Sequence, residues 1–497
     1  MLLMIHRLFN IIFSKRVLQW LIAIFSVFYL LSLYHRYIQQ DEPWFGEQAY
    51  WLLKEGEVKI KSMPGIFNWT ESMLIYHKLF VWIGALIISI FGWSLYPLKA
   101  FILLVFLASC WLLISFLKKY QKDSHLCWVA AFLLITTPEL IHRSFMFRPE
   151  VVVMCLGFLS FYMLYRTIDE KRGSAHWAGL FSGLAFLTHL NALIFPVAGF
   201  LLLMCYKKWQ QLVIYTVICG AVCSVYTIGL WDAGHIETYT YQMQHWPTHQ
   251  KAFGEKVDGG IIGIIWNNIS RLLNEHKRYF WDQDVWMISA FFLLSLIVRF
   301  RFLWRQHRLL LGYTLILMVL LGVLGSGHSP RYLVYLMPFM TVLSALVVQN
   351  IAVGRHVVLK MLLVLVLLGQ LGIVGITFKK IYTTNYNHVA LHHEILSVIE
   401  PGSKVLAPWE FIYNEIDNYA LHSYKTYEYI EDQEKMKLTQ NELLALAANR
   451  FEMDYIVIDE KRKRDKNFSW FYDCNINDNP HYEFYREGEG YLILKKK

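Results

Sequence analysis

Long apolar runs separated by short polar segments occupy the first 378 residues of the chain. A membrane-spanning helix needs about 20 consecutive apolar residues, with some tolerance in length. This pattern is typical of a polytopic α-helical membrane protein. It predicts apolar segments at residues 17–34, 76–94, 98–117, 126–142, 149–166, 177–190, 192–206, 211–231, 285–303, 308–325, 331–349 and 357–378.

After residue 378 the pattern changes to that of a soluble domain. The stretch "HHEILSVIEPGSKVLAP" predicts a helix, a Pro-Gly turn and a strand, and "TQNELLALAANRFEMDYIVID" predicts a capped helix followed by a strand. The stretch "YEFYREGEGYLILK" predicts two strands around a Gly-containing turn. We therefore divide the chain into a multi-span domain, residues 1–378, and a small α/β domain, residues 379–497, whose function the sequence does not reveal.

Composition supports a membrane protein and argues against nucleic-acid binding. The 497 residues are 56% hydrophobic and only 17% charged, whereas about a quarter of the residues in soluble domains are charged. The net charge of +9 comes from short basic clusters beside apolar runs, rather than from a basic face on a soluble module. The spacing of the seven cysteines resembles neither a zinc site nor a disulfide framework.

Basic residues orient the spans, because Lys and Arg collect on the cytoplasmic side of a membrane. Arg7, Lys15 and Arg16 place the N-terminus in the cytoplasm, ahead of an uncleaved signal-anchor helix. The basic clusters 299–308 and 355–360 are also expected inside. This orientation puts the first polar loop and the C-terminal domain on the outer face.

The segment 76–94 does not fit this orientation as a full crossing. The basic cluster 118–122 belongs inside, so the segment 98–117 must cross inward directly from the outer face. His77 and Lys78 also suit a headgroup region better than hydrocarbon. We therefore expect the segment to be re-entrant or interfacial, which leaves eleven crossings.

The stretch "QQDEPWFGEQAYWLL" places Asp41 and Glu42 at the outer edge of the first span. One interpretation is helix capping, with Pro43 at the first helical position. The following residues predict an amphipathic helix on the outer membrane surface, with Glu47 and Tyr50 away from its apolar face. The other interpretation is catalysis, which is compatible with capping because a carboxylate at a helix start is held rigidly.

Two further motifs place charged residues on the same outer face. In "RSFMFRPE", Arg148 and Glu150 precede a span, and either begin the helix or face a shared cavity with Asp41. In "GSGHSPRYLVYLMPF", His328 and Arg331 lie in a short outer loop. A guanidinium there suits a phosphate, although an arginine snorkelling at a helix end is the alternative.

Lys78 is a second candidate cation, and His189 in "FLTHLNALIFP" lies at an outer turn between two spans. A histidine in such a turn either makes a structural polar contact or takes part in chemistry. The outer loop 232–284 contains a third group of polar residues whose spacing matches no zinc pattern. That group comprises His235, Glu237, His245 and His249.

Taken together, these motifs resemble the GT-C membrane glycosyltransferases, especially bacterial aminoarabinose transferases and protein O-mannosyltransferases. The matching stretches are "DEPWFGEQAYWLL", "RSFMFRPE", "GLFSGLAFLTHLNALIFPVAGFLLL" and "SPRYLVYLMPF", followed by an outer C-terminal domain. The resemblance covers roughly residues 10 to 380.

The resemblance implies a GT-C fold with a cavity at the outer face of a bacterial plasma membrane. It implies transfer of a sugar from a polyprenyl-phosphate donor to a hydroxyl of an acceptor lipid, glycan or protein. Asp41 corresponds to the catalytic base, Glu42 to the adjacent acidic position and Arg331 to a donor-phosphate contact. Glu150 stands where many members have Asp. Lys78, Arg148, His189 and His328 complete the expected substrate-binding set.

The chemistry suits these residue types. A positioned carboxylate removes the proton of an attacking hydroxyl, and direct displacement inverts the anomeric carbon. Arginine and lysine can stabilise a leaving lipid phosphate, so a divalent cation is possible but not required, and no residue is assigned as a metal ligand.

Two other functions remain open at this point: a lipid-linked-sugar transporter or flippase, and an assembly protein without transferase activity. Transporters place ionisable residues near the midplane, often on broken helices. The charges here lie at helix ends, which favours the enzyme.

Overall fold

The computed structural model describes residues 2–121, 123–171, 173–246, 260–325, 327–354, 356–383, 388–434, 437–459, 479–488 and 490–497. The α-helices of the multi-span part are Leu2–Ile12 (α1), Lys15–Ser32 (α2), Asp41–Glu55 (α3), Lys78–Phe91 (α4), Leu95–Gln121 (α5), Ser124–Ile135 (α6), Pro138–Arg143 (α7), Glu150–Ile168 (α8), Ala175–Thr188 (α9), Ile194–Cys205 (α10), Trp209–Ser224 (α11), His235–His245 (α12), Gly260–Asn274 (α13), His276–Phe280 (α14), Gln283–Gln306 (α15), Arg308–Leu324 (α16), Met337–Val353 (α17) and Val357–Thr383 (α18). Short 3-10 segments lie at Leu33–His35, Leu190–Leu193, Val225–Thr227 and Pro330–Leu336.

Seven helical segments among the described residues are long and apolar enough to cross a membrane, so the chain is a multi-pass membrane protein. Each apolar segment predicted from sequence contains a helix. Helix α1 was not predicted; it packs through the buried Phe9, and its His6 Nδ1 lies 2.7 Å from Lys360 Nζ on α18.

The predicted span 126–142 is not one continuous helix, because the helix breaks between α6 and α7. The hydroxyls of Thr136 and Thr137 donate to carbonyls of the preceding turn, at 2.7 and 2.9 Å. Pro138 then starts α7, as proline suits the first turn of a helix. Gln370 on α18 donates to the freed carbonyl of Thr136 at 3.1 Å.

The segment Pro330–Ala352 forms the centre of the helix bundle. In its most apolar 18-residue stretch 94% of the residues are buried, whereas in that of the first span, Lys15–His35, 17% are buried. A helix surrounded by other helices leaves its ends facing internal space rather than lipid. Residues at its N-terminal end, including Arg331, are therefore well placed to line a cavity.

Helix α4 has both ends on the side of the C-terminal domain. His77, which precedes it, lines the cavity described below, and Trp93, which follows it, stacks on Tyr413 of the C-terminal domain with ring centroids 5.1 Å apart. A helix that crossed the membrane would end on the opposite side. This placement favours the prediction that the segment 76–94 is re-entrant or interfacial rather than a full crossing.

Helix α3 differs from the predicted surface helix. It begins at Asp41 without a side-chain cap, so Pro43 lies within the first turn rather than at its first position. Proline is tolerated there because the first N–H groups of a helix have no intrahelical partner. Glu47 and Tyr50 are buried, with 1% and 4% exposure, because the C-terminal domain covers the face expected to meet water.

The C-terminal part is an α/β unit around one five-stranded sheet. Its helices are His388–Leu396 (α19), Trp409–Glu415 (α20), Lys425–Glu434 (α21) and Gln440–Asn449 (α22), and its strands are Lys404–Ala407 (β1), Ala420–Ser423 (β2), Tyr455–Asp459 (β3), Tyr482–Gly488 (β4) and Tyr491–Lys496 (β5).

The strand order of this sheet is β2-β1-β3-β5-β4. Strands β2, β1 and β3 are parallel, while β5 runs antiparallel to β3 and β4. The predicted cap of α22 is confirmed as a capping box between Thr439 and Glu442. The strands expected in "YIVID" and "YEFYREGEGYLILK" are also present.

Candidate active site

Three charged side chains from separate parts of the chain meet at the start of α3. Asp41 is the first residue of α3, Arg148 precedes α8, and Arg331 lies in the 3-10 segment before α17. Arg148 forms an ion pair with the carboxylate of Asp41, and Arg331 Nη1 lies 3.7 Å from Asp41 Oδ2. Asp41 and Arg331 are about a third exposed, so both remain accessible to a ligand.

Arg148 is fixed by a second carboxylate. Its Nη2 donates to Glu150 Oε1 at 2.7 Å, its Nε lies 3.2 Å from both oxygens of that carboxylate, and its Nη1 is 3.4 Å from Gln39 Oε1. Glu150 is fully buried and Arg148 is nearly so. Glu150 therefore affects the site through Arg148, because it fixes the guanidinium that pairs with Asp41.

Glu42 points away from Asp41 into the protein. Its Oε2 lies 3.3 Å from Lys99 Nζ, and both groups are almost completely buried. The carboxylate also accepts backbone N–H bonds from Gln39 and Phe147, each at 2.8 Å. Glu42 thus joins the start of α3 to α5 and to the loop that carries Arg148, and it does not line the cavity.

The two histidines beside Asp41 and Arg331 form a stacked pair. The rings of His77 and His189 lie 4.2 Å apart between centroids and are inclined by 27°. His189 Nδ1 accepts the backbone N–H of Asn191 at 3.0 Å, which leaves the ring proton on Nε2. Burial lowers the pKa of His77 to about 4, so this imidazole is neutral at physiological pH.

These groups border a cavity of about 770 Å³ between the helix bundle and the C-terminal domain. We call the side formed by the bundle the inner wall and the side formed by the C-terminal domain the outer wall. The inner wall contains Asp41, His77, Arg148, His189 and Arg331, and the outer wall contains Trp409, Lys425, Glu428 and Tyr429. Aromatic and apolar residues such as Trp44, Tyr76, Tyr226 and Trp246 complete the lining.

Like Glu42 and Glu150, the predicted site residues Lys78 and His328 do not line the cavity. Lys78 is 2% exposed and donates to the carbonyl of Ile228 at 2.8 Å. His328 Nδ1 lies 3.1 Å from Glu275 Oε2, and the same carboxylate pairs with Arg278. Both are structural contacts at the edge of the site.

Arg278 holds the loop that leads to Arg331. It is fully buried and donates to the carbonyls of Gly327 and Ser329, at 2.7 and 2.9 Å. These bonds fix the backbone immediately before the 3-10 segment.

The histidine group of the outer loop gives no metal site within the described residues. His235, Glu237 and His245 lie on α12, and His249 lies outside the described residues. Among the residues that the structure describes, no group of three or more His, Cys, Asp or Glu side chains could hold a metal ion.

The outer-wall residues and His77 were not predicted as site residues from the sequence. His77 has a local signal, since it precedes a helix at the expected outer face. Lys425 and Glu428 read as an ordinary ion pair three residues apart on a helix. Only the packing of the C-terminal domain on the bundle turns them toward the cavity.

Comparison with known proteins adds a family and a fold. Residues 83–327 match the family model of glycosyltransferase family 87. No curated protein has a matching sequence.

The whole chain shares its fold with solved membrane enzymes. It is similar to ArnT from Cupriavidus metallidurans bound to undecaprenyl phosphate, with a TM-score of 0.59 and 10% identity over 97% of this chain and 98% of that one. It is also similar to the archaeal oligosaccharyltransferase AglB from Archaeoglobus fulgidus, in complex with an inhibitory peptide and a dolichol-phosphate. That match has a TM-score of 0.53 and 12% identity over 96% of this chain and 74% of that one. Just under half of the chain thus matches a glycosyltransferase family, and nearly the whole chain has the fold of ArnT and AglB.

Proposed function

We propose that this chain transfers a sugar from a polyprenyl-phosphate donor to an acceptor hydroxyl, with Asp41 as the general base. The observation that carries the proposal is the meeting of Asp41 and Arg331, 3.7 Å apart, on the wall of a cavity of about 770 Å³. The shared fold supports it, since structures of this fold have been solved with undecaprenyl phosphate and with a dolichol-phosphate.

Arg331 is the side chain that we assign to the donor phosphate. Arg148 is already paired with two carboxylates, whereas Arg331 makes a longer contact with Asp41, lies over the ring of Tyr332 and donates a hydrogen bond to Tyr332 Oη at 3.1 Å. Among the described residues, Arg331 Nε has no hydrogen-bond partner. A guanidinium with unused donors in a partly desolvated cavity binds a phosphate strongly and stabilises it as a leaving group.

Asp41 is the carboxylate of the inner wall that can reach an acceptor. In the reaction the acceptor oxygen bonds to the anomeric carbon, the bond from that carbon to the phosphate oxygen breaks, and Asp41 takes the hydroxyl proton. A retaining reaction would need a second carboxylate as nucleophile. Glu150 is fully buried and bound to Arg148, which favours a single displacement with inversion.

The contact between Asp41 and Arg331 links donor binding to base activity. A phosphate that recruits Arg331 competes with Asp41 for the guanidinium, so donor binding weakens one of the two pairs that hold Asp41. A carboxylate with fewer cationic partners is a stronger base. Asp41 is then a stronger base when the donor is in place.

Contacts between basic clusters support a cytoplasmic N-terminus and an outer C-terminal domain. Lys119 pairs with Glu170 at 2.8 Å, and Tyr120 Oη lies 2.7 Å from His307 Nδ1. The N-terminal His6 meets Lys360. The clusters predicted inside thus contact one another. We assign the protein to a plasma membrane, with the cavity on the outer face.

Mass spectrometry of surface glycans and lipids tests this function. Cells that lack the protein should lose one glycosylated species, and wild-type protein but not Asp41→Asn should restore it. An unchanged glycan and lipid profile in cells lacking the protein would contradict the function. The mass difference of the lost species would identify the sugar and the acceptor.

A further inference from the structure

A buried carboxylate on α3 lies apart from the reacting groups. Glu47 is 1% exposed and does not line the cavity. It accepts a hydrogen bond from the backbone N–H of Ser62 at 2.9 Å, another from the Ser62 hydroxyl, and a third from Trp51 Nε1 at 3.2 Å. Burial raises the pKa of this group. A buried carboxylate is costly unless it is well hydrogen-bonded, so its partners define its role.

Ser62 is also one of the points where the C-terminal domain attaches to the bundle. Its Oγ accepts a hydrogen bond from Trp409 Nε1 at 3.2 Å, and its carbonyl accepts the backbone N–H of Ser423 at 2.7 Å. Trp409 belongs to the outer wall, and Ser423 ends β2 just before α21, which carries Lys425. One serine therefore connects Glu47 on α3 with both segments that form the outer wall.

A second group of contacts keeps the same two parts together. Tyr50 on α3 donates a hydrogen bond to Asp417, and Trp93 stacks on Tyr413 with an interplanar angle of 10°. A Cβ atom on Gly46 would lie 2.7 Å from Tyr413 Oη, so glycine is what allows this approach. The C-terminal domain is thus seated directly on the helix that begins with Asp41.

The outer wall can recognise hydroxyl groups. Lys425 and Glu428 form an ion pair whose side chains are 26% and 28% exposed at the cavity. Their ammonium donates hydrogen bonds and their carboxylate accepts them, and a hydroxyl can do both. Trp409 and Tyr429 add aromatic surface for the apolar parts of a ligand.

We propose that the outer wall is the acceptor subsite, and that Glu47 and Ser62 are positioning residues that hold it over Asp41. This inference rests on the proposed function, because it assigns the two walls to the two substrates. The phosphate-binding arginines are on the inner wall, and the acceptor hydroxyl must approach Asp41 from the other side. A displacement of about 1 Å from the attacking geometry costs on the order of 100-fold in rate, so the position of the outer wall relative to Asp41 matters.

The test compares two readouts in full-length variants. The first is the amount of glycosylated product, measured by mass spectrometry in cells lacking the native protein. The second is binding of undecaprenyl phosphate to the purified protein in nanodiscs.

The outer-wall variant is Lys425→Met with Glu428→Gln. The positioning variants are Ser62→Ala and Glu47→Leu, and Glu47→Gln is the conservative variant. Glu452→Gln, which removes an exposed ion pair with Lys404 in the same domain, is the matched control.

We expect the outer-wall, Ser62→Ala and Glu47→Leu variants to lose product about 10- to 100-fold. Their affinity for undecaprenyl phosphate should stay within about twofold of wild type, the scatter expected for a distant site. Glu47→Gln should restore most of the product, and Glu452→Gln should change neither readout.

Unchanged product in the outer-wall variant would overturn the inference, as would an equal loss of undecaprenyl phosphate binding and product in the positioning variants. Retained phosphate binding in the same preparations shows that a variant is folded. If the wild-type protein neither binds undecaprenyl phosphate nor makes product, the proposed function itself fails, and the inference fails with it.

Discussion

The two walls of the cavity are built by different means. On the inner wall, charged side chains at helix ends pair directly with one another, as Arg148 does with Asp41 and Glu150. On the outer wall, the polar groups come from a separate domain. That domain is hydrogen-bonded to Ser62, which in turn is hydrogen-bonded to Glu47 on α3. The inner wall is therefore set by charge within the bundle, and the outer wall by how the domain docks.

The largest expected effect concerns Asp41 on α3, and its neighbour Glu42 provides the comparison. Asp41→Asn should lower transfer about 10²- to 10⁴-fold, the usual contribution of a general base. Thermal stability should be nearly unchanged, because Asp41 is a third exposed. Initial rates and thermal unfolding of the purified protein check both expectations.

Glu42 provides the contrast. Glu42→Ala leaves Lys99 buried without its ion-pair partner, which should lower the free energy of unfolding by about 3–5 kcal/mol. Any folded fraction should retain its affinity for undecaprenyl phosphate. A stable Glu42→Ala protein with abolished turnover would instead return this residue to the chemistry.

A smaller effect tests whether Arg331 is shared between Asp41 and the donor. Asp41→Asn frees the guanidinium, so it should tighten undecaprenyl phosphate binding about three- to fivefold, within the range of an exposed ion pair. In an Arg331→Gln background the same substitution should have little effect. A general charge effect would give equal tightening in both backgrounds, and a double-mutant cycle separates the two cases.

The smallest expected effect concerns His328, which the sequence placed in the binding set. Because His328 pairs with Glu275 outside the cavity, His328→Ala should change undecaprenyl phosphate affinity by less than about twofold. Isothermal titration in nanodiscs can resolve this. A loss comparable to that of an Arg331 variant would mean that His328 reaches the donor.

The sequence predicted the inner wall better than the outer wall for a physical reason. Asp41, Arg148 and Arg331 stand at helix ends on the face assigned by the positive-inside rule, and a helix end is local to the sequence. The direction of each side chain was not predictable. Glu42 and Lys78 are adjacent to cavity residues, yet both turn into the protein.

The outer wall could not be predicted because its position depends on contacts distant in sequence. Ser62 and Trp409 are hydrogen-bonded across more than three hundred residues. The burial of Glu47 depends on the same contact, which is why α3 was expected to lie exposed on the membrane surface. The helices and strands of the C-terminal domain were predictable from periodicity, but not the surface on which the domain docks.

Binding of undecaprenyl phosphate to the purified protein tests the central claim most directly. Wild-type protein should bind it, and Arg331→Ala should bind about 10- to 100-fold more weakly, as expected for loss of hydrogen bonds from a charged donor. His328→Ala serves as the control from the same loop. Equal affinity in wild type and Arg331→Ala would contradict the assignment of the inner wall to the donor phosphate.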